Sequence, residues 1–316
     1  MNIEALIDIA LGVITPVIVM AAVGFLLGWL RVIDPEPVAK IYMTVFAPAL
    51  AFKALLAQNL TGHDLGRVLL FCFVSVLALF VLARLVSRGL GHDRGMKGAF
   101  ANSVILYNSA NYGFPVQELA FPGLGPLIQP IVLMTQSIVA FTLGPFNAAS
   151  NSPSLWATAR RLVTMPLTWA LVLGAALHLV GVTWDGLKND VPVVWTPLNY
   201  FQGALVPVAL LSLGVQLSRV RIHGKILNIS LGCVLRLLVA PLVGLGVGLA
   251  LGIRGELLAV LVVSVSFPSA VFSSVLATEF KNHEEYAAAV VFISTVISIV
   301  TVTLVIYLTR VYLVGH

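Results

Sequence analysis

Ten apolar stretches follow one another with little between them, and no other feature narrows the fold as far. A helix crossing about 30 Å of hydrocarbon needs roughly 20 residues. Stretches of that kind run over about 6–30, 36–57, 65–88, 95–121, 124–147, 162–181, 192–217, 226–252, 256–278 and 284–310. Only 10% of the 316 residues are charged and 59% are hydrophobic, with a mean hydropathy of +1.02. A soluble domain carries about a quarter charged residues. The reading is an all-α polytopic membrane protein with ten transmembrane helices, lipid around it and no nucleic-acid partner. The first run lacks a basic lead-in and a small-residue cleavage site, so no cleavable signal is expected.

Two of these spans are interrupted. Asn108-Ser109-Ala110-Asn111-Tyr112-Gly113-Phe114-Pro115 places two carboxamides, a glycine and a proline inside the fourth. Pro115 has no N–H and its ring clashes with the carbonyl four residues back, so a helix entering from Gly95 must kink or stop there. Gly113 opens backbone conformations closed to other residues. Ser264-Val265-Ser266-Phe267-Pro268 interrupts the ninth span. Bare amides and carbonyls at membrane depth are tolerated only inside protein or beside a watery cavity. Interruptions in corresponding halves of a chain point to a transporter's substrate site.

The small polar interval Asn147-Ala148-Ala149-Ser150-Asn151-Ser152-Pro153-Ser154 falls near the midpoint. It divides the chain into 1–150 and 151–316, each with five spans. An odd number per half inserts the second half upside down relative to the first. Pro48 in the second span and Pro207 in the seventh, like Pro115 and Pro268, recur in the same order at nearly equal separations, which supports an inverted repeat. With both termini outside, twelve of the eighteen Lys and Arg fall in cytoplasmic loops: Arg31, Lys40, Arg84, Arg88, Arg94, Lys97, Arg160, Arg161, Arg219, Arg221, Lys225 and Lys281. That bias obeys the positive-inside rule and takes up the net charge of +5.

The chemistry at the breaks suits a small anion. Half-helix N-termini carry partial positive charge and free N–H groups, the partners a carboxylate needs. Asn108, Asn111, Ser264, Ser266 and Ser269 add donors without a fixed charge. With Gly113, Pro115 and Pro268, which make the breaks, they form the candidate substrate site. Arg236 lies ten residues past Ile226, roughly 15 Å deep at about 1.5 Å per residue, and must find a partner inside the protein. It reads either as an attractor of anions or as a clamp on helix-end carbonyls, and its place in the eighth span favours the clamp. Lys53 reads equally as an anion contact and as a lysine snorkelling to the outer surface. Glu118 is the acid nearest the first break, a candidate coupling group or the mark of the helix's outer end. Cys72 and Cys233 read as packing residues. No histidine pair has metal-ligand spacing, and neither a metal nor a cofactor is expected.

In combination, Leu213-Gly214-Val215-Gln216, Val234-Leu235-Arg236-Leu237-Leu238-Val239-Ala240-Pro241, Gly252-Ile253-Arg254-Gly255-Glu256-Leu257, Ser266-Phe267-Pro268 and Ala277-Thr278-Glu279-Phe280-Lys281-Asn282-His283 resemble the auxin efflux carriers. Asn108 with Gly113 and Pro115, and Pro48 with Phe52-Lys53, are similar to that family's fourth- and second-helix patterns. The resemblance implies a fold related to bile-acid symporters and sodium/proton antiporters. The first, second, sixth and seventh spans (about 6–57 and 162–217) would form a scaffold and homodimer interface. The remaining six (about 65–147 and 226–310) would form a mobile transport domain with the fourth and ninth crossing at their prolines. It also implies elevator-type carriage of auxins or of malonate-, malate- or lactate-like carboxylates. Without a long central loop, the chain is similar to the bacterial members, in the inner membrane. Asp64 and Gln136 resemble a polar support site beside the crossover.

A sodium-coupled bile-acid-type symporter is the alternative, with Glu118, Gln117, Asn108 and Asn111 among the possible oxygen ligands. An intramembrane enzyme or a receptor without transport is the further one. Against an enzyme stands the lack of His-Glu-x-x-His, Gly-x-Ser-x-Gly or paired aspartates at spanning depth.

Overall fold

The computed structural model describes residues 3–57, 62–148, 156, 160, 163–220 and 225–315. The expected junction beyond Ala148 lies outside these residues, as do Arg161 and Arg221. The architecture is all-helical. Thirteen helices are named here in chain order: α1 (Glu4–Trp29), α2 (Pro35–Ala57) and α3 (Asp64–Gly89); α4 (Arg94–Ile105), α5 (Gly113–Ala120), α6 (Gly125–Ala148), α7 (Pro166–Leu179) and α8 (Trp184–Asp190); α9 (Pro192–Leu217) and α10 (Ile226–Ala250); α11 (Gly255–Val265) and α12 (Val271–Glu279); and α13 (Glu284–Val314). Among the described residues, seven are long and apolar enough to cross a membrane, eight if α7 and α8, bent by 83° at their break, count as one span. The stretches about 95–121 and 256–278 are each two helices.

Three long helices are widened by a π turn within their length, Ala10–Ile14 in α1, Tyr42–Phe46 in α2 and Leu235–Val239 in α10, and a further π turn, Arg310–Val314, ends α13. A proline stands two residues beyond each of the first three, at Pro16, Pro48 and Pro241. Without an N–H, and with its ring pressing on the turn behind it, proline breaks the regular ladder. The residue before it reaches one position further back instead, as in the bond from the Ala240 N–H to the Leu235 carbonyl.

α1 and α9 pack in backbone contact. A Cβ on Gly24 would meet the Leu211 carbonyl, and one on Gly214 the Ala21 carbonyl. Elsewhere apolar side chains set the packing. Val68, Phe71, Val116, Ile128, Leu258 and Val291 tie α3, α5, α6, α11 and α13 into one buried cluster. Tyr42, Leu50, Phe114, Leu133, Leu167 and Leu205 join α2, α7 and α9 to α5 and α6. Asp93 caps α4, accepting from the Met96 N–H at 2.8 Å, and that bond holds its carboxyl below the usual carboxylate range.

Candidate functional site

The two breaks meet and satisfy each other. The Asn108 N–H donates to the Pro268 carbonyl and the Ala270 N–H to the Leu106 carbonyl, each at 2.8 Å, around an antiparallel bridge of Tyr107 with Ser269. Backbone freed from α4 and α11 is thus paired across the crossover rather than left bare. Pro115 sits in the first turn of α5, where its missing N–H costs little. Gly113 is helical, the first residue of α5, so space rather than backbone freedom requires it. A Cβ there would collide with Gln129 Nε2 and come within 2.9 Å of the Phe267 ring.

Arg236, carried on the π turn of α10, is fully buried behind the crossover. Its guanidinium donates to the Val104 carbonyl at 2.5 Å and to the Val265 carbonyl, and lies 5.0 Å from the Tyr107 ring centroid. Both carbonyls belong to the last turns of the half-helices α4 and α11, whose C-terminal ends carry partial negative charge. One cation therefore offsets two helix ends.

A cavity of about 940 Å³ opens beside the crossover. Asn108, Asn111 and the first turn of α12 (Val271, Phe272) line it from the breaks, with Tyr107, Gln136 from α6, Tyr42 from α2 and Gln216 from α9. Glu36, Lys40, Arg219, Glu284 and Glu285 also lie along it, on the ends of α2, α9 and α13. Two buried donors of the lining residues, Tyr42 Oη and Asn108 Nδ2, have no hydrogen-bond partner among the described residues, while the Tyr107 hydroxyl and the Gln136 side chain lie against each other. Both can donate. Asn111 is engaged: its N–H donates to Asn108 Oδ1 at 3.1 Å and its Nδ2 to Gln216 Oε1 at 3.3 Å.

Several candidate residues are placed elsewhere. Ser264 belongs to a buried network behind the break, accepting from Gln117 Nε2 at 2.8 Å and donating to Gln129 Oε1 at 3.2 Å. Ser266 Oγ donates to the Val263 carbonyl, and the Ser269 N–H to Ser294 Oγ. Pro268 contributes its carbonyl to the crossover. Lys53 donates to Gln202 Oε1 at 3.3 Å and lies 5.8 Å from the Trp184 ring centroid, away from the cavity lining. Asp64 begins α3, half-buried, and Glu118 is exposed near the end of α5. Tyr42 and Gln216 were missed as lining residues. Gln216 had a signal, since Ser212 and Gln216 are four apart and so share one helix face in an otherwise apolar stretch.

The comparisons point the same way. The family model described as "Membrane transport protein" matches residues 150–306. An uncharacterized transporter of Methanothermobacter thermautotrophicus is 29% identical over 293 residues, covering 91% of this chain and 94% of its own. The uncharacterized transporter YfdV of Escherichia coli K12 is 28% identical over 56% of this chain and 54% of its own. A probable auxin efflux carrier component 9 of rice (Oryza sativa subsp. japonica) is 29% identical over 51% of this chain and 39% of its own. Relatives and family alike are transporters rather than enzymes, and the chain belongs to the auxin efflux carrier family of membrane transport proteins.

Proposed function

We propose that the protein is a secondary transporter of small organic anions, with the carboxylate held at the crossover of α4–α5 with α11–α12. The observation that carries this reading is the polar lining of one cavity at the crossover, where Tyr42, Asn108, Asn111, Gln136 and Gln216 meet the first turn of α12. Buried polar groups are nearly always paired, and the partnerless Tyr42 Oη and Asn108 Nδ2 on lining residues leave room for an acceptor from outside. The helix dipoles add to this: Arg236 offsets the C-terminal ends, and the α12 N-terminus, whose first turn lines the cavity, favours an anion.

In this reading the chain has ten spans, α4–α5 and α11–α12 each counting as one broken span, arranged as two inverted repeats with both termini outside. α1, α2, α7 and α9 form the scaffold and homodimer interface, and the rest moves as an elevator. The basic residues then place Lys40 and Arg219, beside the cavity, on the cytoplasmic side of a bacterial inner membrane. The rice relative's name makes auxin-like acids one substrate class, and malonate-like acids are the other. The test is uptake of radiolabelled malonate and indole-acetate by proteoliposomes. Saturable flux, lost in Asn108→Ala, is expected. Folded, inserted protein that moves neither acid overturns the reading, and flux that requires sodium turns it into the sodium-coupled alternative.

A further inference from the structure

We propose that Gln216 is a latch on the empty site: it holds Asn111 until an anion displaces it, so the crossover moves readily only when loaded. The proposal deepens the carboxylate-transport reading and rests on it. The bond in question joins two separately braced bodies. Gln216 belongs to α9, which is in backbone contact with α1 at Gly24 and Gly214. Asn111 belongs to the first break, which is bonded to the second through Asn108 and Ala270 and backed by Arg236. Asn111 Nδ2 donating to Gln216 Oε1 at 3.3 Å spans the gap between them, inside the cavity.

Gln216 is set up to accept. Its Nε2 donates to Ser212 Oγ at 2.9 Å one turn back, which turns Oε1 toward Asn111. Asn111 is in turn tied to the candidate substrate contact, because its N–H donates to Asn108 Oδ1 at 3.1 Å while Asn108 Nδ2 stays open. An anion taken up by Asn108 arrives beside Asn111. A charged oxygen is the stronger acceptor, and the Asn111 amide transfers to it from the neutral Gln216 carbonyl. Loading thereby removes a bond between the two bodies, whereas the empty carrier must break it to move. A ligand can bias a motion only through such a difference between states.

The consequence is kinetic: return of the empty carrier is slower than movement of the loaded one, and exchange outruns net flux. The experiment measures initial uptake of labelled malonate, and separately of indole-acetate, into proteoliposomes with and without the same unlabelled acid inside. Wild type should be stimulated by internal acid. Gln216→Leu should raise net uptake and lower the stimulation ratio by about fivefold, the factor one net hydrogen bond represents. Ser212→Ala, which frees the Gln216 amide to turn, should shift the ratio the same way by less, and it decides the matter if Gln216→Leu does not fold. An unstimulated wild type, or a ratio unmoved in the folded variants, overturns the latch. Lack of flux for both acids in either mode removes the transport reading and the latch with it.

Discussion

Asn108 and Arg236 divide the work at the crossover, one on each side of it. Asn108 uses its backbone N–H on Pro268 and its Oδ1 on Asn111, and keeps Nδ2 open. Asn108→Ala should leave the Asn108–Pro268 backbone bond intact and cut malonate or indole-acetate flux by about tenfold or more, the worth of a hydrogen bond to a charged group. Flux in proteoliposomes checks this, with elution on size exclusion as the control for folding. Arg236→Ala should instead strip the Val104 and Val265 carbonyls of their partner and cost about 2–4 kcal/mol, as two buried acceptors are left unsatisfied. Its melting temperature in detergent should fall well below that of Asn108→Ala. That Arg236 needs a partner followed from its depth, because a guanidinium in hydrocarbon must find oxygen, and its place in the eighth span favoured the clamp. Which oxygens it finds depends on the approach of α4 and α11, both distant from it along the chain.

Prolines shape the helices as much as they break them. Pro115 and Pro268 stand at the interruptions, whereas Pro16, Pro48 and Pro241 each come just after a π turn within a continuous helix. An extra residue in one turn rotates the remainder of a helix by about 100°, so the π turn at Leu235–Val239 decides where Arg236 points. Pro241→Ala removes a poor helix former, yet it should lower the melting temperature, because α10 is free to close to regular geometry and swing Arg236 off its carbonyls. A raised melting temperature would mean that packing, and not Pro241, holds the turn open. Gly214→Ala tests a different element contact. Its Cβ would strike the Ala21 carbonyl, and separating α1 from α9 should cost about 1–3 kcal/mol. Thermal unfolding measures the loss, with KM little changed. The broken spans were legible because proline and asparagine are foreign to an apolar helix. The π turns and the α1–α9 contact were not, since a proline permits several responses and a glycine does not name its neighbour.

At the scale of the whole molecule, the cavity lies open toward the ends of α2, α9 and α13 that carry Lys40, Arg219 and Glu285. If that side is cytoplasmic, Glu285→Cys on a cysteine-free background should react with a membrane-impermeant maleimide in inside-out vesicles and not in intact cells. Labelling from the outside of intact cells would reverse the orientation. The amino-acid order by itself determined the membrane class, the number of apolar stretches, the two interruptions and the family resemblance, because each is a property of local composition and backbone chemistry. The tertiary structure decided which polar groups share a cavity: it brought in Tyr42 and Gln216, put them with Asn108, Asn111 and Gln136, and placed Ser264, Ser266, Ser269 and Lys53 outside the lining. The reason is physical. A buried donor takes whichever acceptor the packing of distant helices brings within reach, and only the donors that packing leaves unpaired remain for a ligand.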